Sequence, residues 1–175
     1  MASEDGFDPD RLLATLDAYA VEYVLVGGLA ARVHGATRRT TDLDCVPDTS
    51  TENLERVAAA LRHVGARLRV GGMTDNEARK LPLIVDAETL VKFGNSTWMT
   101  DAGALDLLVD LRDESGGRHP YADLASRATR HQVAGINVLV AALGDIVESK
   151  LFANREKDRA ALPELRRLLD DERDS

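Results

Sequence analysis

The sequence predicts an α/β (α+β) protein, because two kinds of pattern alternate along it. Short apolar runs typical of buried strands are found at positions 23–26, 66–70, 97–100, 104–111 and 136–140. Apolar residues at helical spacing are found at 8–20, 53–65, 86–93 and 121–128. With 44% hydrophobic residues in 175, the chain can bury one sizeable core. We therefore expect a single domain over 1–175, with its core at about 8–140 and a C-terminal helical part at about 141–172.

Local signals indicate where several helices begin and end. Asp8 can cap a first helix that has Pro9 in its first turn, and Asp86 can cap a short helix that ends near Phe93. The C-terminal segment is helical in pattern throughout. We expect Asn154 to separate two helices there, and Pro163 to lie in the first turn of a last helical segment.

Composition limits the classes of function. The formal net charge of −8 argues against a broad nucleic-acid-binding surface, although Arg38 and Arg39 belong to a local basic group. The single cysteine, Cys45, excludes an internal disulfide, fits a reducing compartment and is expected to be buried. No apolar stretch has transmembrane length and no signal peptide is recognisable, so we expect a cytoplasmic protein with no membrane partner. The four histidines lack metal-ligand spacing and are expected at the surface.

The most informative stretch of the chain runs from Val24 to Val46. Its strand stops at Gly27 and Gly28, which can adopt positive φ and let backbone amides approach a ligand closely. A short apolar helix is expected over 29–34, and the free N–H groups at its start would favour an anion. The stretch therefore predicts a phosphate-binding turn.

Two carboxylates follow this turn. On an extended strand Asp42 and Asp44 project from the same face, about 6.6 Å apart along the axis, while Leu43 points to the core. Such a pair can share one hard cation, and Mg²⁺ suits it because this ion prefers oxygen ligands and completes its shell with water and substrate phosphate. Acids at this spacing are common by chance in a chain with 30 of them, so the evidence lies in the order of the whole stretch.

That order is strand, Gly27-Gly28, helix, then Arg38-x-Thr40-x-Asp42-x-Asp44. It resembles the motif of the nucleotidyltransferase superfamily, and within it the small bacterial AbiEii-like proteins of abortive-infection and toxin–antitoxin systems. The resemblance implies a nucleotidyltransferase-like mixed β-sheet flanked by helices. It also implies binding of Mg²⁺ and of a nucleoside triphosphate such as ATP, with the glycine pair, Arg38 and Thr40 in the nucleotide site. Many members have Ser as the second turn residue, where this chain has Gly28, whose amide remains available.

The superfamily uses a third carboxylate from a neighbouring strand, and the run ALDLLVDL offers Asp106 and Asp110. The two are four residues apart, so strand periodicity places both on one face and does not separate them. Asp106 lies between apolar residues, where a charge is costly unless it meets a cation, whereas Asp110 lies near the exit of the run and looks solvated. We therefore prefer Asp106 as the third acid, which with Asp42 and Asp44 completes the predicted catalytic and metal-binding set.

A second resemblance to the AbiEii-like group lies in the C-terminal stretch ESKLFANREKD. It implies that Lys150 binds the triphosphate as a point charge, and that Asp158 orients this lysine's ligand or the base. The structural alternative is a charged helix face with pairs at i and i+4.

Together these residues predict a Mg²⁺-dependent nucleotidyltransferase, of EC 2.7.7 type, that moves a nucleoside monophosphate from a triphosphate to an acceptor hydroxyl. The sequence leaves the base and the acceptor open: an RNA end such as that of tRNA, a protein or a small molecule. It also leaves open a role as the toxin of a toxin–antitoxin pair, with a cognate antitoxin as partner. Two alternatives are a non-catalytic nucleotide- or partner-binding module that retains the fold, and a phosphotransferase that moves a γ-phosphate.

Overall fold

The computed structural model describes residues 6–174. The helices are α1 (Pro9–Ala18), α2 (Gly27–Val33), α3 (Thr51–His63), α4 (Asp75–Ala78), α5 (Ala87–Phe93), α6 (Tyr121–Arg127), α7 (Leu143–Ala153) and α8 (Glu156–Arg173). The strands are β1 (Tyr23–Val26), β2 (Asp42–Pro47), β3 (Arg67–Leu68), β4 (Ser96–Thr100), β5 (Gly103–Leu107), β6 (Leu111–Arg112), β7 (Arg118–His119), β8 (Thr129–Val133) and β9 (Ile136–Val140). None of the described helices is long and apolar enough to cross a membrane.

Seven strands form one sheet in the order β3-β4-β5-β2-β1-β9-β8, and β6 and β7 form a separate pair. In this sheet β2 is the central strand, antiparallel to β1 and parallel to β5. The pair β1 and β9 is also parallel, and the other neighbours are antiparallel. The sheet is therefore mixed, and helices pack on it, which confirms the predicted fold class.

The core between sheet and helices is mostly aliphatic. All four residues of β1 are buried, and α1 packs Leu12, Leu13 and Leu16 into the same cluster. Trp98 of β4 is fully buried in it as well. Cys45 is buried in β2 as expected, and this burial raises the pKa of its thiol.

The predicted helix caps of Asp8 and Asp86 are confirmed: Asp8 accepts the Arg11 amide at 3.0 Å, and Asp86 accepts the Thr89 amide at 2.8 Å. Asn154 adopts the left-handed conformation between α7 and α8, also as expected. The prediction for Pro163 was wrong, because this residue lies inside α8. Proline has no N–H, so one helical hydrogen bond is missing there. The buried leucines that flank it hold the helix on the core.

Two further features differ from the sequence-based expectation. The strand expected at 136–140 is β9, but it forms a hairpin with β8, which the pattern did not indicate. Ala134 and Gly135 join the two strands with φ values of 50° and 80°, as a two-residue hairpin turn requires. The side chain of His34 is only 7% exposed, because its ring nitrogens lie 2.8 Å from the Ala141 carbonyl and 3.1 Å from Glu172 Oε1.

Candidate active site

Asp42, Asp44 and Asp106 lie side by side on one face of the sheet. Asp44 of β2 is the register partner of Asp106 in the parallel strand β5, and Asp42 lies two residues earlier on the same face. One carboxylate oxygen from each of the three lies within 4.8 Å of the other two. The intervening residues Leu43 and Cys45 are buried on the opposite face. The structure thus brings together the three acids that the sequence assigned to one site, which we call the acidic triad.

One oxygen of this triad has no partner among the described residues. Asp106 Oδ1 is buried and makes no hydrogen bond within residues 6–174. An unpaired buried carboxylate oxygen is costly, and such atoms are rare unless an ion or water satisfies them. The donor set consists of carboxylate oxygens alone, which suits a hard divalent cation. The residues present therefore fit a divalent metal ion.

The electrostatics of Asp44 agree with this fit. Burial, followed by the negative charges of Asp42 and Asp106, raises the pKa of Asp44 to about 7. The charge of Lys157 and a hydrogen bond from the Gly28 backbone amide lower this pKa in part. Three carboxylates so close together repel one another when ionised, and a cation would remove that repulsion.

The glycine pair explains how Asp44 can come so close to the backbone. The helix α2 begins at Gly27 itself and not at 29 as expected, so both glycines belong to its first turn. Gly27 has a φ of +67°, and a Cβ built on it would lie 2.0 Å from Asp44 Oδ2. A side chain at this position would therefore displace the carboxylate. In the described structure the glycine turn contacts Asp44, and the backbone amide of Gly28 donates a hydrogen bond to the Asp44 carboxylate.

The triad lies in a cavity of about 680 Å³ that is rich in cations. Thr40 lines it and donates a hydrogen bond from Oγ1 to Asp42 Oδ1 at 2.9 Å. Each of the predicted nucleotide-site residues contributes to its walls. The basic residues that line it are Arg38, Arg39, Arg112, Arg118, Lys150, Arg155 and Lys157.

Lys150 and Asp158 are in direct contact at the end of this cavity. Lys150 Nζ lies 3.4 Å from Asp158 Oδ1, and Arg155 Nε lies 2.6 Å from Oδ2. Burial of the Asp158 carboxyl acts against its ionisation, but the Arg155 hydrogen bond and the charge of Lys150 outweigh this and keep its pKa below the ordinary value. Asp158 therefore orients two cations of the cavity, while Lys150 stays within reach of a ligand.

The expectation that Asp110 is solvated was wrong. Asp110 lies outside β5, is 8% exposed and is held by Arg112 Nε at 3.1 Å and Arg118 Nε at 2.7 Å. The guanidinium of Arg112 also lies over the Phe152 ring, 5.8 Å from its centre. The sequence analysis did not identify Arg112, Arg118 or Phe152 as residues of the cavity. The arginine two positions after Asp110 was the available signal, but Arg118 reaches it only through the β6–β7 pairing.

Solved structures of nucleotidyltransferases share this fold over almost the whole chain. The lincosamide antibiotic adenylyltransferase LnuA, solved with lincomycin, has a TM-score of 0.57 and 15% identity, covering 93% of this chain and 98% of its own. The enzyme ANT(2″)-Ia, solved with adenylyl-2″-tobramycin, has a TM-score of 0.58 and 15% identity, covering 93% and 88%. A putative nucleotidyltransferase from Thermotoga maritima has a TM-score of 0.53 and 16% identity, covering 92% and 89%.

No protein-family model matches the chain, and no curated protein sequence matches it significantly. The names of these three structures do not mention the AbiEii-like group, so that narrower resemblance rests on the sequence motifs. At 15% to 16% identity the solved structures establish the fold. The chain has the fold of known nucleotidyltransferases and carries an acidic triad on two of its central strands.

Proposed function

We propose that this protein is a nucleotidyltransferase that moves a nucleoside monophosphate from a nucleoside triphosphate, such as ATP, to an acceptor hydroxyl. One observation carries the proposal: three carboxylates, one with a buried unpaired oxygen, share a cavity with seven basic side chains. Acids alone would suit a cation, and bases alone an anion. Their combination suits a metal–triphosphate pair.

The basic residues of the cavity bind the phosphates. Arg38 and Lys150 supply positive charge from opposite parts of the chain, and Asp158 keeps Lys150 oriented through their contact of 3.4 Å. Thr40 fixes the orientation of Asp42 through its hydroxyl. Gly27 and Gly28 keep side chains away from the first turn of α2, so that the triad stays close to the backbone.

Asp42, Asp44 and Asp106 hold the divalent cation, for which Mg²⁺ is the proposed ion. When bound, this ion neutralises charge on the phosphates and polarises the α-phosphate. Strand pairing holds Asp44 next to Asp106, and one oxygen from each of the three acids lies within 4.8 Å of the others before any ion binds. Burial, followed by the charges of Asp42 and Asp106, raises the pKa of Asp44, and a bound cation would favour the ionised form of this carboxyl.

Asp106 takes the proton of the acceptor hydroxyl. The acceptor oxygen then forms a bond to the α-phosphorus, the bond from this phosphorus to the β-bridging oxygen breaks, and pyrophosphate leaves. Asp106 is suited to the proton transfer because its carboxylate lines the cavity beside the other two acids. Positioning and electrostatics supply most of the rate in such transfers.

A small hydroxyl-bearing molecule is the proposed class of acceptor. Two of the solved structures with this fold contain such molecules or their products, lincomycin and adenylyl-2″-tobramycin. The net charge of −8 also disfavours a large polyanionic partner. We propose no antitoxin or RNA partner from the structure.

The test compares ATP labelled at the α-phosphate with ATP labelled at the γ-phosphate, each incubated with Mg²⁺, the protein and a mixture of small hydroxyl compounds. We expect transfer of the α-label with release of pyrophosphate, reduced at least a thousandfold in Asp44→Asn. The matched control is Asp123→Asn, which removes one charge from an exposed position on α6 and should retain wild-type transfer.

Other outcomes would replace the proposal. Transfer of the γ-label with release of nucleoside diphosphate would make the protein a phosphotransferase. Tight binding of ATP without turnover in any mixture would make it a nucleotide-binding module.

A further inference from the structure

A second cavity, of about 360 Å³, lies on the other side of Asp106 from the main one. Asn95, Asp106 and Leu108 line both cavities, so the two meet at the acid that we assign to the acceptor hydroxyl. Its other walls come from the ends of β3, β4 and α5. The remaining lining residues are Leu68, Arg69, Phe93, Ser96 and Thr97.

Strand register places three polar side chains of this cavity in one row with the triad. Asp44 pairs with Asp106, and Asp106 pairs with Thr97. The Arg69 amide bonds to the Thr97 carbonyl, so Arg69 continues the row on the next strand. Neighbouring strands are about 4.8 Å apart, which puts the backbone of Arg69 about 10 Å from that of Asp106.

Two polar side chains that line this cavity keep donor groups that the described fold does not use. Arg69 is exposed, and its guanidinium makes no hydrogen bond or ion pair with any residue that the structure describes. Asn95 accepts the Val109 amide through Oδ1, which leaves its Nδ2 without a partner in the same part of the chain. Phe93 is 40% exposed and offers an aromatic wall. Such a set of donors and an apolar surface is typical of a site for a small organic ligand.

We infer that this second cavity binds the acceptor, and that the acceptor is a small hydroxyl-bearing molecule with an anionic group. The inference rests on the proposed transferase activity. The hydroxyl lies at Asp106, and Arg69, whose backbone is two strands away, binds the anionic group, a phosphate or a carboxylate. Phe93 and Asn95 contact the body of the molecule between these two ends.

The charges of the cavity set this specificity. Among the described residues that line it, Asp106 is the only carboxylate and Arg69 is the only cation. A polycationic acceptor would meet Arg69 with like charge and would find no acid besides Asp106. We therefore expect polycationic acceptors such as tobramycin to bind this cavity weakly, although the protein shares a fold with one solved with the adenylyl derivative of that compound.

The experiment uses four probes of known charge: ribose 5-phosphate, gluconate, ribose and tobramycin. Binding is measured by ligand-observed NMR with Mg²⁺ and a non-hydrolysable ATP analogue present, so that the main cavity is filled. We expect at least one of the two anionic probes to bind at least ten times more tightly than ribose or tobramycin. The better of the two tells whether Arg69 prefers phosphate or carboxylate.

Two variants then test whether Arg69 binds the anionic probe. Arg69→Glu should weaken the anionic probe at least tenfold, and its unfolding midpoint checks that it is folded. Lys80→Glu makes the same change of charge at an exposed position outside the cavity and should bind the probe as the wild type does. Anionic probes that bind no better than ribose, or that bind equally well to Arg69→Glu, would overturn the inference.

The same proteins are assayed for pyrophosphate release from ATP, with and without each probe. If the protein releases pyrophosphate but binds anionic probes no better than ribose, this inference is wrong and the proposed function still stands. Failure to release pyrophosphate under every condition, despite probe binding that depends on Arg69, would instead remove the proposed function and the acceptor role with it.

Discussion

The hydroxyl of Thr40 occupies the space that a side chain at Gly28 would need. A Cβ built on Gly28 would lie 2.7 Å from Thr40 Oγ1 and 3.0 Å from Thr40 Cβ. That hydroxyl donates to Asp42 at 2.9 Å. Where related motifs carry Ser at the second turn position, this chain therefore places a hydroxyl next to the same turn from the segment that precedes β2. The absence of a side chain at Gly28 is therefore what makes room for the Thr40 side chain.

The first prediction concerns this pair. Gly28→Ser should destabilise the protein by about 1–3 kcal/mol, because the added side chain overlaps Thr40. Combined with Thr40→Ala, which removes the obstructing hydroxyl, the same substitution should cost at least about 1 kcal/mol less than the sum of the two single variants. Urea unfolding of the four proteins measures this coupling.

Thr40→Val serves as the control for the pair, since valine keeps the bulk of threonine and should not relieve Gly28→Ser. Additive effects of Gly28→Ser and Thr40→Ala would show that the two positions do not compete for space.

The second prediction concerns stability and pH. The folded-state pKa of Asp44 is about 7, well above its ordinary value of 3.8. Between about pH 4 and pH 7 the Asp44 carboxyl is therefore protonated in the folded protein but ionised in the unfolded chain. Without a divalent cation, stability should therefore fall as the pH rises from about 4 to about 7. Asp44→Asn should lose this dependence and be more stable at pH 8 by about 1–2 kcal/mol, which raises Tm by about 2–8 °C.

Thermal unfolding of both proteins in a chelator, at pH 5 and at pH 8, checks this sign. At pH 5 Asp44→Asn should be only slightly more stable than the wild type. Addition of Mg²⁺ at pH 8 should stabilise the wild type but not the variant. A variant that is less stable than the wild type at pH 8 would contradict the assignment of mutual repulsion to the triad.

The third prediction concerns the buried ion pair on α8. Asp158 is fully buried against Lys150 and Arg155, so Asp158→Asn leaves Lys150 without its counter-ion in a partly buried position. We expect a loss of about 3–5 kcal/mol of stability, together with weaker binding of ATP. Denaturant unfolding and nucleotide titration measure the two effects.

Glu156→Gln, at an exposed position of the same helix, should change stability by less than about 0.5 kcal/mol. Because the pKa of Asp158 is lowered in the folded state, its stabilising contribution should be present near neutral pH and lost as the pH falls below about 4. Equal stability of Asp158→Asn and the wild type at pH 7 would show that the ion pair contributes nothing.

The acidic triad was predictable because its determinants are local or energetic. The spacing of Asp42 and Asp44 places them on one face of any strand, and the cost of burying Asp106 among apolar residues required a cation nearby. The same reasoning failed for Asp110, whose neutralising partner Arg118 lies on a different strand. Whether a buried acid meets a metal or an arginine depends on strand pairing, which local sequence does not determine.

Pairing also decides the features that the sequence did not reveal. Arg69 enters the row of Asp106 only because β3, β4 and β5 pair in one particular register. Strand β8 was missed because its turn uses Ala134 with positive φ, a conformation that alanine seldom adopts and that gives no turn signal. The helix caps, in contrast, depend on residues three apart and were predicted correctly. The division of the chain into a single domain stays a prediction.

The most direct test of the account is the number of Mn²⁺ ions bound per chain, measured by electron paramagnetic resonance at increasing metal concentration. Mn²⁺ reports on the site because it takes the same oxygen ligands as Mg²⁺. We expect a site that is weakened at least tenfold by Asp42→Asn, Asp44→Asn and Asp106→Asn, and that is unchanged in Asp123→Asn. Binding that none of the three substitutions weakens, or no binding at all in the presence of ATP, would contradict it.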